Sequence, residues 1–301
     1  MPLFLLFPLF SSVVFVLGMM LGKRAITAGA SPWTSTFLSN FWLAIAWVAI
    51  GVSQGTVLPV EAWWQAALVG LAFVCGQMFN FLAFQHGDVS VATPVFGVKV
   101  IVVALILAVV SDESISGRIW FGAALAALGV GVMQSGARSS SQGPLTLWRA
   151  FATVLLALLS ATSLSLFDVG LQTWGRKWGA ATFLPAVFIA SGLFSCGFLP
   201  WCDRPSRLRY LGVLGPMVAC TVLIAVQAMS MSYSLGQFGD ATRINIVYAL
   251  RGLWAVGLSW LLAHSLGTNE AHLSPRVMLL RLVGAALVTT AVVVALLAPP
   301  S

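Results

Sequence analysis

Apolar runs of 18 or more residues recur from one end of this sequence to the other, and each is long enough to cross a hydrocarbon core of about 30 Å as a helix. Nothing else limits the fold so strongly. With 59% hydrophobic and 8% charged residues and a mean hydropathy of +0.98, the chain could not clothe a soluble domain in a surface of ordinary polarity. In lipid only structures that close their own backbone hydrogen bonds persist, and unbroken apolar runs suit helices better than the short alternating strands of a barrel.

The runs predict an all-α integral membrane protein with ten transmembrane helices, at about 3–22, 33–53, 63–86, 89–110, 118–136, 148–173, 180–200, 209–235, 240–263 and 276–298. Tryptophans such as Trp33, Trp63, Trp64, Trp120, Trp148, Trp174, Trp178 and Trp201 fall where these spans meet headgroups. Met1 to Gly22 lacks a basic n-region and a small-residue cleavage site, so it reads as a retained first span. A polar stretch, Ser139-Ser140-Ser141-Gln142-Gly143-Pro144, marks a linker over 137–147 between a first half, 1–136, and a second, 148–301.

The halves match in order. Thr27, Gly29 and Thr36-Phe37-Leu38 recur as Thr173, Gly175 and Thr182-Phe183-Leu184; Gln85, Gly87-Asp88 and Lys99 recur as Gln237, Gly239-Asp240 and Arg251; Gly122-Ala123-Ala124-Leu125 recurs as Gly284-Ala285-Ala286-Leu287. An odd number of spans per half makes the second half enter the membrane from the opposite side, which gives two inverted five-helix repeats, an arrangement common in transporters.

The segment Gly87-Asp88-Val89-Ser90-Val91-Ala92-Thr93-Pro94-Val95-Phe96, then a long apolar span, Asp112-Glu113-Ser114-Ile115-Ser116 and a Gly-Ala-rich helix from Gly122, resembles the EamA-like branch of the drug/metabolite transporter superfamily. That resemblance implies a ten-helix secondary transporter with a central cavity, an exporter or exchanger of small metabolites working by alternating access. It also implies both termini inside. Loop charges say the opposite: Lys23, Arg24, Arg138, Arg149, Arg204, Arg207, Arg209, Arg276 and Arg281 follow odd-numbered spans, against Arg118, Arg176, Lys177 and Arg243 on the other face. Cytoplasmic loops carry the excess of Lys and Arg, so the charges place both termini outside, in a plasma membrane or a bacterial inner membrane.

Two cations fall deep within predicted spans. Lys99 and Arg251 each lie about ten residues from either helix end, roughly 15 Å from the interface at about 1.5 Å per residue, too deep to snorkel. Each costs about 2.5–3.5 kcal/mol to insert, so they are candidates for a midplane site that receives a carboxylate or phosphate, Arg251 by its planar fork and Lys99 as a point charge. A structural pair with Asp168 or with carbonyls is the alternative. Asp168, about six residues before Trp174, is expected roughly 9 Å deep, either as counter-ion or proton site or as a carboxylate reached by interfacial water.

Asn245, Tyr248 and Arg251 step by three into a polar stripe beside Trp254. Gln77 with Asn80, and Gln227 with Ser230 and Tyr233, share helix faces and suit either ligand hydrogen bonds or helix–helix glue. Asp88 and Asp240 read as helix caps, Pro94 and Pro185 as kinks, and Gly18 with Gly22 as a close-packing pair.

The basic residues are scattered through short loops, which excludes the clustered face that a nucleic-acid binder needs. Cys75, Cys196, Cys202 and Cys220, with His86, His264 and His272, lack metal-ligand spacing; no phosphate-cradling loop with a following lysine and no hydrolase triad is apparent. The expected protein is therefore not an enzyme and needs no cofactor; its partners are the lipid bilayer and a small anionic or zwitterionic substrate. Two other classes stay open: a membrane-embedded lipid-processing enzyme, which would need an acid/base pair near one interface, and a scaffold or channel-like subunit associated with transport.

Overall fold

The computed structural model describes residues 3–86, 98–110, 116–135, 147–255, 257–258 and 275–298, and among these the chain is all-helical. In chain order the main helices are α1 (Leu6–Thr27), α2 (Pro32–Gln54), α3 (Trp63–His86), α4 (Lys99–Val110), α5 (Gly117–Ser135), α6 (Leu147–Gly170), α7 (Ala180–Ser195), α8 (Leu214–Phe238), α9 (Ala241–Tyr248) and α10 (Pro275–Leu296). Six segments are long and apolar enough to cross a membrane: Leu3–Thr27, Pro32–Gln54, Val60–Asn80, Phe151–Trp178, Ala180–Trp201 and Leu214–Phe238. Lys99–Val110, Gly117–Val132 and Leu282–Leu296 are apolar but shorter. Residues 89–97 of the expected fourth span lie outside the described residues, as do linker positions 137–146, Asp88, Pro94, Arg138, His264 and His272.

The chain forms two compact units, one from residues 2–74 and 170–239, the other from 75–169 and 240–301. Each takes segments from both sequence halves.

In the first unit α1 packs on α8. A Cβ at Gly18 would meet Ile224, and one at Gly22 would lie 2.8 Å from Cys220 Sγ, so small residues set the close approach. Serine hydroxyls stitch the pair, Ser11 donating to the Gln227 carbonyl (3.0 Å) and Ser230 to that of Phe7 (3.1 Å). Helix α2 starts at Pro32 in its first turn and stops at Gly55, whose φ of 63° is left-handed, the conformation that favours glycine at a C-terminus. Its Asn40 donates to Ser195 Oγ of α7 at 2.6 Å, and its Trp42 indole to Thr221 Oγ1 of α8 at 3.2 Å.

In the second unit α5 and α10 run antiparallel. Gly129 faces Gly284 O and Val288, where a Cβ would be only 2.7–2.8 Å away, and Gly122 faces Ala291 O. The two Gly-Ala segments matched in sequence thus lie on helices that pack together. Arg118 donates to the Leu297 carbonyl (2.9 Å) and Arg243 to that of Ala298 (3.5 Å), covering acceptors at the negative end of α10.

Candidate functional site

Three elements of the second unit bring Lys99, Asp168 and Asn245 together. The first is α6, which continues beyond Gly170 through a π turn, Leu171–Gly175, into Arg176–Trp178. The helical run therefore ends at Trp178 rather than near residue 173 as expected, because the widened turn absorbs Gly170 and Gly175 without a stop. Asp168 lies ten residues before Trp178, about 15 Å in at 1.5 Å per residue, as deep as the two cations were expected to be.

Asp168 is 2% exposed and holds two donors on the same oxygen, Oδ2: Lys99 Nζ at 2.7 Å and Asn245 Nδ2 at 2.7 Å. Lys99 is 15% exposed, and as described it opens α4. Its carbonyl accepts from Ser165 Oγ at 3.3 Å, while the same hydroxyl donates to Ala161 O at 2.7 Å. A buried carboxylate with a cation and an amide N–H satisfies the rule that such charges be both paired and hydrogen-bonded. This ion pair is the structural pairing that the sequence held open for Lys99 beside a substrate site.

The third element is α9. Gly239 and Asp240 both have positive φ, 72° and 56°; the non-glycine conformation at Asp240 is offset by its side chain accepting from Arg243 N, the N-cap expected for it. Asn245 is held twice, by Asp168 and by the Ala241 carbonyl at 2.9 Å. The expected ninth span then departs from a regular helix: Ala249 and Leu250 form a turn in which Leu250 N reaches Val247 O, before the helix resumes over 251–255. Tightening from i−4 to i−3 bonding brings residues three apart into line. Tyr248 and Arg251 accordingly stack, with the guanidinium carbon 4.6 Å from the ring centroid.

Gln77 and Asn80 follow Gly76 on α3; Gly76 faces Leu164, about one turn of α6 before Asp168, and accepts from Ser160 Oγ, about two turns before it, at 2.8 Å. Asn80 Oδ1 and Trp254 Nε1 are buried without a hydrogen-bond partner among the described residues. Ser165 escaped the sequence reading, although Ser165 and Asp168 share an i, i+3 face of α6, a polar pair inside an apolar run. Gln227, Ser230 and Tyr233 belong to the first unit. No metal-binding group of His, Cys, Asp or Glu occurs among the described residues.

Six helical segments long and apolar enough to cross a membrane define the class: this is a multi-pass helical membrane protein. Residues 2–134 match the model of the EamA-like transporter family, so the first part of the chain carries the sequence pattern of a membrane transporter of the drug/metabolite superfamily. A crystal structure of a protein 17% identical in sequence superposes with a TM-score of 0.71, covering 97% of this chain and 96% of that one; the likeness shows a shared fold. Among curated proteins none matches the chain.

Proposed function

We propose that the whole chain is a ten-helix secondary transporter built of two inverted five-helix repeats, which exports or exchanges a small monoanionic or zwitterionic metabolite by alternating access. The observation that carries this reading is the Lys99–Asp168–Asn245 cluster with Arg251 stacked on Tyr248 in the same unit. Lys99 and Arg251 carry two formal positive charges and Asp168 one negative, a surplus of one, which suits a substrate with a single carboxylate. A zwitterion would add its ammonium group against Asp168. Ionisable side chains at this depth mark substrate or ion pathways, and the match of residues 2–134 to a transporter family supports the same class. Asn245, Tyr248, Gln77, Asn80 and Trp254 complete the proposed binding residues, with Asp168 as counter-ion or proton site. The membrane is the plasma membrane, with both termini outside.

The test is a thermal-shift screen of purified protein against small carboxylates, amino acids and organic cations, followed by uptake of the hits in proteoliposomes. A ligand that binds only the folded state raises apparent stability. Anionic or zwitterionic hits whose uptake is lost in Arg251→Gln and Lys99→Gln, correctly inserted, are expected; hits among cations alone, or normal uptake by both variants, would overturn the reading.

A further inference from the structure

Five cations of the first unit collect where its apolar segments Leu3–Thr27 and Ala180–Trp201 end and Leu214–Phe238 begins. Lys23 and Arg24 lie near the end of the first of these; Arg207 and Arg209 belong to the short helix Pro205–Tyr210 between the other two, and Arg204 stands just before it. One buried cluster joins the two groups. Leu208 packs with Ala25 and Ala30 from the end of α1 and with Val213 and Met217 at the start of α8, so the cations flanking Leu208 are held against the end of α1 that carries Lys23 and Arg24. Arg207 closes the junction by donating to the Gly29 carbonyl at 3.4 Å.

This charge is not balanced by the protein. The acidic residues of the unit are Glu61 and Asp203. Glu61 follows α2 at the opposite end, and Asp203 is already engaged, its buried carboxylate accepting from Arg207 at 2.7 Å and from the Ser31 N–H. Lys23, Arg24, Arg204 and Arg209 are exposed, and among the described residues none of the four has an ion pair or a side-chain hydrogen bond. Cations at the ends of membrane segments lie at the level of lipid headgroups, where basic clusters attract anionic phosphates. Apolar surface adjoins them: Leu199, Trp201 and Tyr210 are 50%, 60% and 90% exposed, and aromatic rings at this level anchor to the interface. A free phosphate would answer the charge alone, whereas a phospholipid brings phosphate and acyl chains together. A headgroup with its own ammonium would set that group against the surplus cations. We infer that this end of the first unit binds a phospholipid of net negative charge, its phosphate received by Lys23, Arg24, Arg204 and Arg209 and its acyl chains beside Leu199 and Trp201. Such a site needs neither the transport substrate nor a particular orientation of the chain.

The experiment is native mass spectrometry of the protein in a neutral detergent, titrated with phosphatidylglycerol or with phosphatidylcholine of the same acyl chains. Phosphatidylglycerol is expected to bind the more tightly by about 25-fold or more, about fivefold for each cation that meets its phosphate. Arg204→Gln with Arg209→Gln, and separately Lys23→Gln with Arg24→Gln, should each lower that preference by about 25-fold and leave the thermal midpoint without lipid unchanged, since all four side chains are exposed. The two pairs lie on different elements, so either one decides the matter if the other does not fold. Arg176→Gln with Lys177→Gln removes the same charge from the opposite end of the unit and should leave the preference intact. Equal affinity for the two lipids, no loss in either pair, an equal loss in the Arg176 and Lys177 variant, or displacement of phosphatidylglycerol by inorganic phosphate at an ionic strength matched with sodium chloride would each overturn the inference.

Discussion

Asp168 shows how much one side chain decides in a medium that cannot solvate it. Removing one member of a buried pair leaves the other charge uncompensated, at a cost of about 3–5 kcal/mol. Asp168→Asn is therefore expected to lower the thermal midpoint sharply, because the buried Lys99 loses its carboxylate partner. The double variant Lys99→Met with Asp168→Leu should recover most of that stability while substrate binding stays lost; recovery of both would show the pair to be structural alone. Arg251 offers a finer test. Arg251→Lys keeps the charge but loses the planar group over Tyr248, and apparent affinity in a transport assay should fall about fivefold, the weight of a cation–π contact; Tyr248→Phe, which keeps the ring, should cost less. Lys99, Arg251 and the Asn245–Tyr248–Arg251 stripe were legible in the sequence because a charge within an apolar run stands out and a spacing of three survives in any helix. The pairing of Lys99 with Asp168 stood there only as one alternative, since it joins positions 69 residues apart and no helical spacing points to it.

At the scale of helices, small residues set which pairs approach closely. Lipid tails offer no hydrophobic drive for helix association, so packing and hydrogen bonds must supply it. At the seam of α5 and α10, Gly129 leaves no room for a Cβ beside Gly284 O and Val288. Gly129→Leu should part the two helices and lower the melting temperature, followed by circular dichroism, while Gly117→Ala, where nothing lies within 4 Å of the added carbon, should leave it unchanged. Helix presence was readable from apolar length, and the pairing of α1 with α8 was foreshadowed by Gly18 and Gly22. The ends were less readable, because the stops rest on backbone detail: a left-handed Gly55 after α2, a 3₁₀ turn, Cys196–Trp201, after α7, and a separate short helix, Pro205–Tyr210, where the expected eighth span began at 209. Hydropathy averages over such turns.

For the molecule as a whole, the remaining question is which loops face the cytoplasm, and the first unit makes it testable. Its loop after α1 touches the segment after α7: Ser31 Oγ donates to the Trp201 carbonyl at 2.8 Å, and Asp203 N donates to Thr34 Oγ1 at 2.7 Å. The loop after α2 in turn meets the start of α7, with Thr56 Oγ1 donating to Ala181 O at 3.1 Å. Lys23, Arg24, Arg204, Arg207 and Arg209 therefore gather at one end of this unit, and Arg176 and Lys177 belong to the other. By the positive-inside bias the richer end is cytoplasmic, the orientation proposed above and the reverse of what the family resemblance implied. Native Cys202 is a poor reporter of this face. Burial pushes its thiol above the usual range, a contact with Thr34 pulls it back and the Asp203 charge raises it again, so the thiolate that reacts with maleimide is scarce at neutral pH and grows as pH rises. Ser206→Cys, exposed on the short helix beside it, with the four native cysteines replaced, avoids that handicap. A membrane-impermeant maleimide should label it in inside-out vesicles and spare it in right-side-out ones, while Glu61→Cys at the opposite end of the unit should give the converse pattern. The reverse result would put the termini in the cytoplasm and leave the buried cluster intact, because the depth of Lys99 and Asp168 depends on helix length and packing, whereas orientation depends on loop charge alone.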